Sequence, residues 1–176
     1  MGVVAFIGRA LSFLTVAGQA WLVGILALFI FARTSEPVRF LSRHALLLSF
    51  LIALTATLGS LFYSEVMGYE PCKLCWVQRI FIYPQVILLG MALVKKQRWI
   101  LDYALALSVP GLFVAGYHYL LQRGLESSLP CSVVGYSASC SQRFVMEFGY
   151  ITIPLMAFTA FALIIFLILL SKVAKH

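Results

Sequence analysis

Acidic side chains are scarce in this sequence: 6 Asp and Glu stand against 13 Lys and Arg in 176 residues. Charged residues together make up only 11%, where a soluble domain carries about 25%, so an ordinary water-soluble fold is excluded. Hydrophobic residues reach 62%, and the chain reads as an all-α integral membrane protein. The net charge of +7 does not indicate nucleic acid. Its basic residues are not interleaved with exposed polar sequence; they fall in short clusters between apolar runs, as topology determinants do. Internal repeats and low-complexity segments are also missing.

Long uncharged runs are what the sequence does have. Residues 13–32, 45–64, 103–122 and 148–171 contain no Asp, Glu, Lys or Arg, and about 20 such residues cross a bilayer as a helix. A fifth run, 80–94, is short for a crossing unless its helix starts near Cys75 and takes in Arg79. That start places Cys75 at the membrane boundary and Arg79 about one turn inside. The first run is expected to be an uncleaved helix: it is longer than a signal peptide's apolar core, and Phe31-Ala32-Arg33-Thr34 lacks a small-x-small cleavage site. Phe6 stands where a myristoylation signal needs Ser or Thr. Pro84, Pro110 and Pro154 lie within the runs, tolerated where neighbouring helices satisfy the freed backbone groups.

Arg33, Arg39 and Arg43, then Lys95, Lys96 and Arg98, then Lys172 and Lys175 lie on one side of these spans, eight of the 13 basic residues. The positive-inside rule makes that side cytoplasmic. Cys72, Cys75, Cys131 and Cys140 then fall in or beside two outward loops, where disulfides are permitted.

Cys72 and Cys75 form a Cys-x-x-Cys pair after Pro71, at the start of a helix whose dipole favours a thiolate. Arg79 follows Cys75 by four residues and Cys72 by seven, so the three share roughly one face. A charged Arg near hydrocarbon is costly and asks for a partner: a thiolate, a lipid phosphate or a ligand's polar head. Snorkelling to lipid headgroups is its plainer alternative. Cys131 and Cys140 lie in a loop with Pro130, Gly135 and several serines, suited to exchange with a macromolecule. Two structural staples would be the plainer account of the four cysteines, although a Cys-x-x-Cys ring is too short to staple anything distant. No metal is expected, since the second pair lacks zinc spacing. Trp76 in place of His excludes c-type haem attachment.

Four stretches together resemble one family. They are 58–65, beginning Leu58-Gly59-Ser60; Pro71-Cys72-Lys73-Leu74-Cys75-Trp76-Val77-Gln78-Arg79 running on to Pro84; Tyr117-His118-Tyr119-Leu120-Leu121-Gln122; and Phe148-Gly149-Tyr150-Ile151-Thr152-Ile153-Pro154. The chain is similar to the DsbB family of quinone-dependent thiol oxidoreductases, especially its BdbC-like branch, over about residues 45–171. The resemblance implies a four-helix transmembrane bundle at 45–171, preceded at 1–44 by an additional transmembrane helix and a basic linker, with 172–176 as a cytoplasmic tail.

It implies further that an extracytoplasmic thioredoxin-like (DsbA-like) dithiol oxidase is reoxidised and that electrons pass to a membrane quinone, ubiquinone or menaquinone. Cys131 would form the mixed disulfide, Cys140 would exchange with Cys72, and Cys75 would contact or add to the quinone ring. Arg79 would stabilise that thiolate and bond a quinone oxygen, and His118 would assist proton handling or simply cap its helix end. The expected location is a bacterial cytoplasmic membrane, with the cysteines facing the periplasm or cell exterior. Two alternatives accompany this reading: a vitamin K epoxide reductase-like enzyme, and a non-enzymatic disulfide-stapled assembly protein. The extra first helix has no place in the family's four-helix pattern, and no role for it follows from the sequence.

Overall fold

A computed structural model of the chain describes residues 2–31, 36–125 and 139–173. Five helices follow in order: α1 (Gly2–Phe31), α2 (Glu36–Leu61), α3 (Lys73–Lys95), α4 (Ile100–Gln122) and α5 (Ile153–Val173). A π-helical turn, Phe62–Val66, extends α2. Each helix is long and apolar enough to cross a membrane, as expected, and among the described residues the only strand-like pairing is an isolated bridge, Glu147 to Ile151.

Helices α2 to α5 close into a ring, each packed on the next and α5 back on α2, while α1 lies outside against α5 and α2. One core fills the ring, with Leu89, Ala104, Ala115, Phe161 and Ile164 all buried. Helix packing in lipid depends on close approach rather than on hydrophobic expulsion, and Gly111 provides it. A Cβ there would fall 2.5 Å from the Phe161 ring. Hydrogen bonds add to this, as between Ser108 of α4 and Gln85 of α3 at 3.2 Å, a kind worth about 0.6 kcal/mol on average in membranes.

Helix bounds differ from the uncharged runs at two places. The basic segment expected as a connection before residue 45 is already helical from Glu36, because hydropathy marks where a helix enters hydrocarbon and not where it starts. The last run begins at 148, yet α5 starts only at Ile153. Phe148 and Gly149 have φ of 53° and 76°, a left-handed turn that a helix cannot contain. That turn carries Phe148 to Phe13 of α1, ring centroids 5.1 Å apart.

At the same end a stack of Tyr63, Tyr69 and Phe144, with centroids 6.2 and 4.9 Å apart, joins the two loop regions that flank the cysteines. At the opposite, basic end, Lys172 of α5 pairs with Asp102 of α4.

Candidate redox site

Pro71 leads into Cys72 in extended conformation, and Cys72 is the N-cap of α3, its sulfur accepting from the Cys75 backbone N–H at 3.4 Å. The first turn then brings the two sulfurs to 3.2 Å, sharing a hydrogen bond. Both are free thiols. His118 reaches them from α4, fully buried, with Nε2 3.5 Å from the Cys72 sulfur and 3.1 Å from the Cys140 carbonyl oxygen. A carbonyl only accepts, so Nε2 carries the hydrogen. Nδ1 lies 2.9 Å from the Gln78 side-chain amide nitrogen.

This setting makes Cys72 a thiolate. Its thiol is lowered from the ordinary 9.0 to about 4, first by the hydrogen bond from Cys75, against a burial cost, and then by the bond and charge of His118. Cys72, Cys140 and Leu121 form one buried cluster, with Cys75 and Tyr117 packed on it. Cys140 is disulfide-bonded. Cys131 lies outside the described residues, so the mixed-disulfide role implied for it has no geometry here.

Arg79, one turn beyond Cys75, is buried, and among the described residues no carboxylate pairs with it. Its Nε donates to the Ser60 hydroxyl at 3.1 Å and Nη2 to the Ser60 carbonyl at 3.2 Å. The guanidinium also sits 5.0 Å from the Trp76 ring and 5.8 Å from Tyr83, in the range of cation–π attraction. Tyr83 adds its hydroxyl to Ser60 at 3.2 Å. Among the described residues no hydrogen bond links Arg79 to the Cys75 sulfur; Ser60 fixes the guanidinium instead.

Two spaces open on this cluster. A small pocket of about 20 Å³ is lined by Cys72, Cys75, His118, Gln122, Ser139 and Gln142, among others. A cavity of about 590 Å³ runs between α1, α2, α3 and α5, with Cys75, Gln78, Arg79, Ser60 and Tyr63 at its cysteine end.

The structure therefore brings Cys72, Cys75, His118 and Cys140 together and sets Arg79 beside them. Ser60, Gln78 and Gln122 have no role assigned by sequence, although all three lie inside the family-like motifs. Cysteine spacing alone predicts no metal, but spacing takes no account of His118. Donor atoms of Cys72, Cys75 and His118 all lie within 4.8 Å of one another, a three-ligand set that could hold an ion.

Residues 42–171 match the family model for disulfide bond formation protein DsbB. The chain is 44% identical over 118 residues to the SPbeta prophage-derived disulfide bond formation protein B of Bacillus subtilis (strain 168), covering 67% of this chain and 78% of that one. It is 42% identical over 129 residues to disulfide bond formation protein C of the same strain, covering 72% and 91%. A probable disulfide formation protein of Metapseudomonas resinovorans is 40% identical over 131 residues, covering 73% and 90%. No solved structure gave a significant match. With the five apolar helices and the buried dithiol, these likenesses establish a multi-pass membrane oxidoreductase of disulfide formation, and the chain belongs to the DsbB family.

Proposed function

We propose that this protein reoxidises an extracytoplasmic thioredoxin-like (DsbA-like) dithiol protein and passes the electrons through its two cysteine pairs to a membrane quinone, ubiquinone or menaquinone. The observation that carries this reading is the double position of Cys75. Its sulfur touches Cys72 in the cluster that holds Cys140, and it also lines the large apolar cavity beside Arg79.

The cavity suits a quinone in volume, within the range of about 300–1,000 Å³ common for ligand sites, and in its donor set. Arg79 has five N–H donors, of which Ser60 engages the one on Nε and one on Nη2; the others can meet a carbonyl oxygen. A bound quinone supplies an acceptor for two electrons and two protons and leaves as quinol. A partner dithiol that becomes a disulfide releases the same two electrons and two protons, so the exchange balances.

Within the protein, Cys72 as a thiolate is positioned to attack a disulfide sulfur and expel the other sulfur as thiolate, packed with Cys140 from the other loop. Cys131 would meet the partner first. His118 holds the Cys72 charge and can take up or return a proton at its ring nitrogens. Because the basic clusters lie at the opposite end, the cysteine end faces the periplasm or cell exterior of a bacterial cytoplasmic membrane.

The test is stoichiometric. Purified protein given reduced thioredoxin-like oxidase and quinone should form one quinol per partner disulfide, and bound quinone should show a thiolate charge-transfer band that vanishes in Cys75→Ser. Absence of quinol from the wild type overturns the quinone assignment. A reporter fused after Arg43 should read as cytoplasmic; an external reading overturns the orientation.

A further inference from the structure

The large cavity is not closed by the four-helix ring alone. Leu11, Leu14, Thr15, Gly18 and Trp21 of α1 form one of its walls, opposite Ile82 of α3 and facing residues 48–63 of α2 and 153–163 of α5. Helix α1 is seated there by directional contacts. Gln19 donates to the Thr159 hydroxyl at 3.1 Å and accepts from Tyr150 at 3.3 Å. Leu11 lies where a Cβ on Gly59 would be 3.4 Å away, and Leu163 where one on Gly18 would be 3.2 Å away.

Polarity along the cavity is uneven. At the cysteine end Cys75, Gln78, Arg79, Ser60 and Tyr63 gather. Away from it the remaining polar residues turn their hydroxyls into their own helices: Thr15 to the Leu11 carbonyl at 2.9 Å, Thr55 to Leu51 at 2.8 Å and Thr159 to Leu155 at 2.9 Å. What they offer the cavity is methyl groups. The α2 wall, from Leu48 to Tyr63, is about 22 Å long at 1.5 Å per residue, far longer than a ring headgroup. A ligand that fills it has a polar head at one end and a long apolar chain along the rest.

We infer that α1 is the outer wall of a channel for the isoprenoid tail of the quinone, so that this protein selects its quinone by tail as well as by headgroup. The inference rests on the quinone reading above. Headgroup contacts belong to α2 and α3, and tail contacts to α1, α2 and α5. The extra helix thereby acquires a function: it adds a further wall to a groove that stays partly open, and a long-tailed quinone gains apolar burial that a tail-less one does not.

The experiment uses the full-length protein with reduced partner and two quinones of one headgroup, one carrying a long isoprenoid tail and one carrying none. Thr15→Phe, which fills the channel from α1, should raise the KM for the long-tailed quinone at least about tenfold more than that for the tail-less one. Val23→Phe, exposed on α1 and outside the cavity, should change neither. A quinone with a photoreactive group at its tail should label α1 in the wild type, and Thr15→Phe should abolish that label. Equal KM changes for the two quinones, labelling confined to α2 through α5, or recovery of a phospholipid acyl chain that a long-tailed quinone does not displace would each overturn the channel while leaving quinone reduction in place. If the wild type reduces neither quinone, the quinone reading fails and this inference fails with it.

Discussion

The pocket beside Cys72 measures about 20 Å³, and its lining includes the polar groups of His118, Gln122, Ser139 and Gln142. The cavity on the other side of Cys75 measures about 590 Å³ and is walled mostly by apolar side chains, Trp21 and Phe161 among them, apart from its head at Gln78, Arg79, Ser60 and Tyr63. One helical turn separates Cys72 from Cys75, yet the turn divides two media. On the first side a sulfur is held as an anion by hydrogen bonds, as thiol exchange with protein partners requires. On the second a sulfur borders a mostly apolar space. The N-terminus of a helix suits this division, since its cap points outward to the loops while its first turn already lies in the bundle.

Four substitutions probe the division, from the most severe to the mildest. Cys75→Ala removes the sulfur that lines both spaces; turnover of reduced partner with quinone should fall at least about a thousandfold while the protein still inserts and folds. Unchanged turnover would show that the two spaces do not communicate through this sulfur.

Arg79→Met acts on the apolar side alone. The KM for quinone should rise about 10- to 100-fold, as expected for a lost charge-assisted hydrogen bond of about 1.5–3 kcal/mol, with little change in the KM for the protein partner. Equal changes in both would argue against a headgroup contact.

His118→Leu acts on the polar side. Followed by thiolate absorbance, the Cys72 inflection should move up from about 4. Where it comes to lie above the working pH, the thiolate fraction, and with it the rate of exchange with the partner, should fall about tenfold per pH interval of one. The sign for stability follows from the same value. Because the folded thiol is depressed from 9.0 to about 4, the stabilisation of the reduced form is complete above about 9 and is lost as pH falls toward 4. Wild-type reduced protein should therefore lose stability between those limits relative to Cys72→Ser, and His118→Leu should narrow that window from its acid end. An unmoved inflection would assign His118 a packing role only.

Ser60→Ala should have the smallest effect, about a fivefold rise in quinone KM, the equivalent of roughly 1 kcal/mol for a hydrogen bond that positions Arg79. The Ser60 carbonyl would still hold Nη2. A rise as large as that of Arg79→Met would mean that Ser60 itself contacts the headgroup.

Much of the site is legible in the chain because it is local. Pro71, Cys72, Cys75 and Arg79 sit within nine residues, and a helix starting there fixes their spacing whatever surrounds them. Legibility ends where distant segments meet. His118 is 46 residues from Cys72, and only the packing of α4 on α3 puts its ring against the sulfur. Ser60 lies in a family-like motif, but its hold on Arg79 depends on how α2 faces α3. Cysteine spacing misses the three-donor cluster for the same reason, since the third donor comes from another helix.

By itself, the sequence determined that the protein spans a membrane, roughly where its helices run, which ends carry positive charge and where the thiol pair lies. Those properties follow from transfer free energy and helix periodicity, which act over one or a few turns. Only the tertiary structure decided that α1 packs on the ring and walls the cavity, that the imidazole of His118 reaches Cys72, and that Cys75 borders two spaces of opposite character. Each depends on which faces of separate helices meet, and in runs that are apolar all around, sequence pattern leaves those faces nearly equivalent.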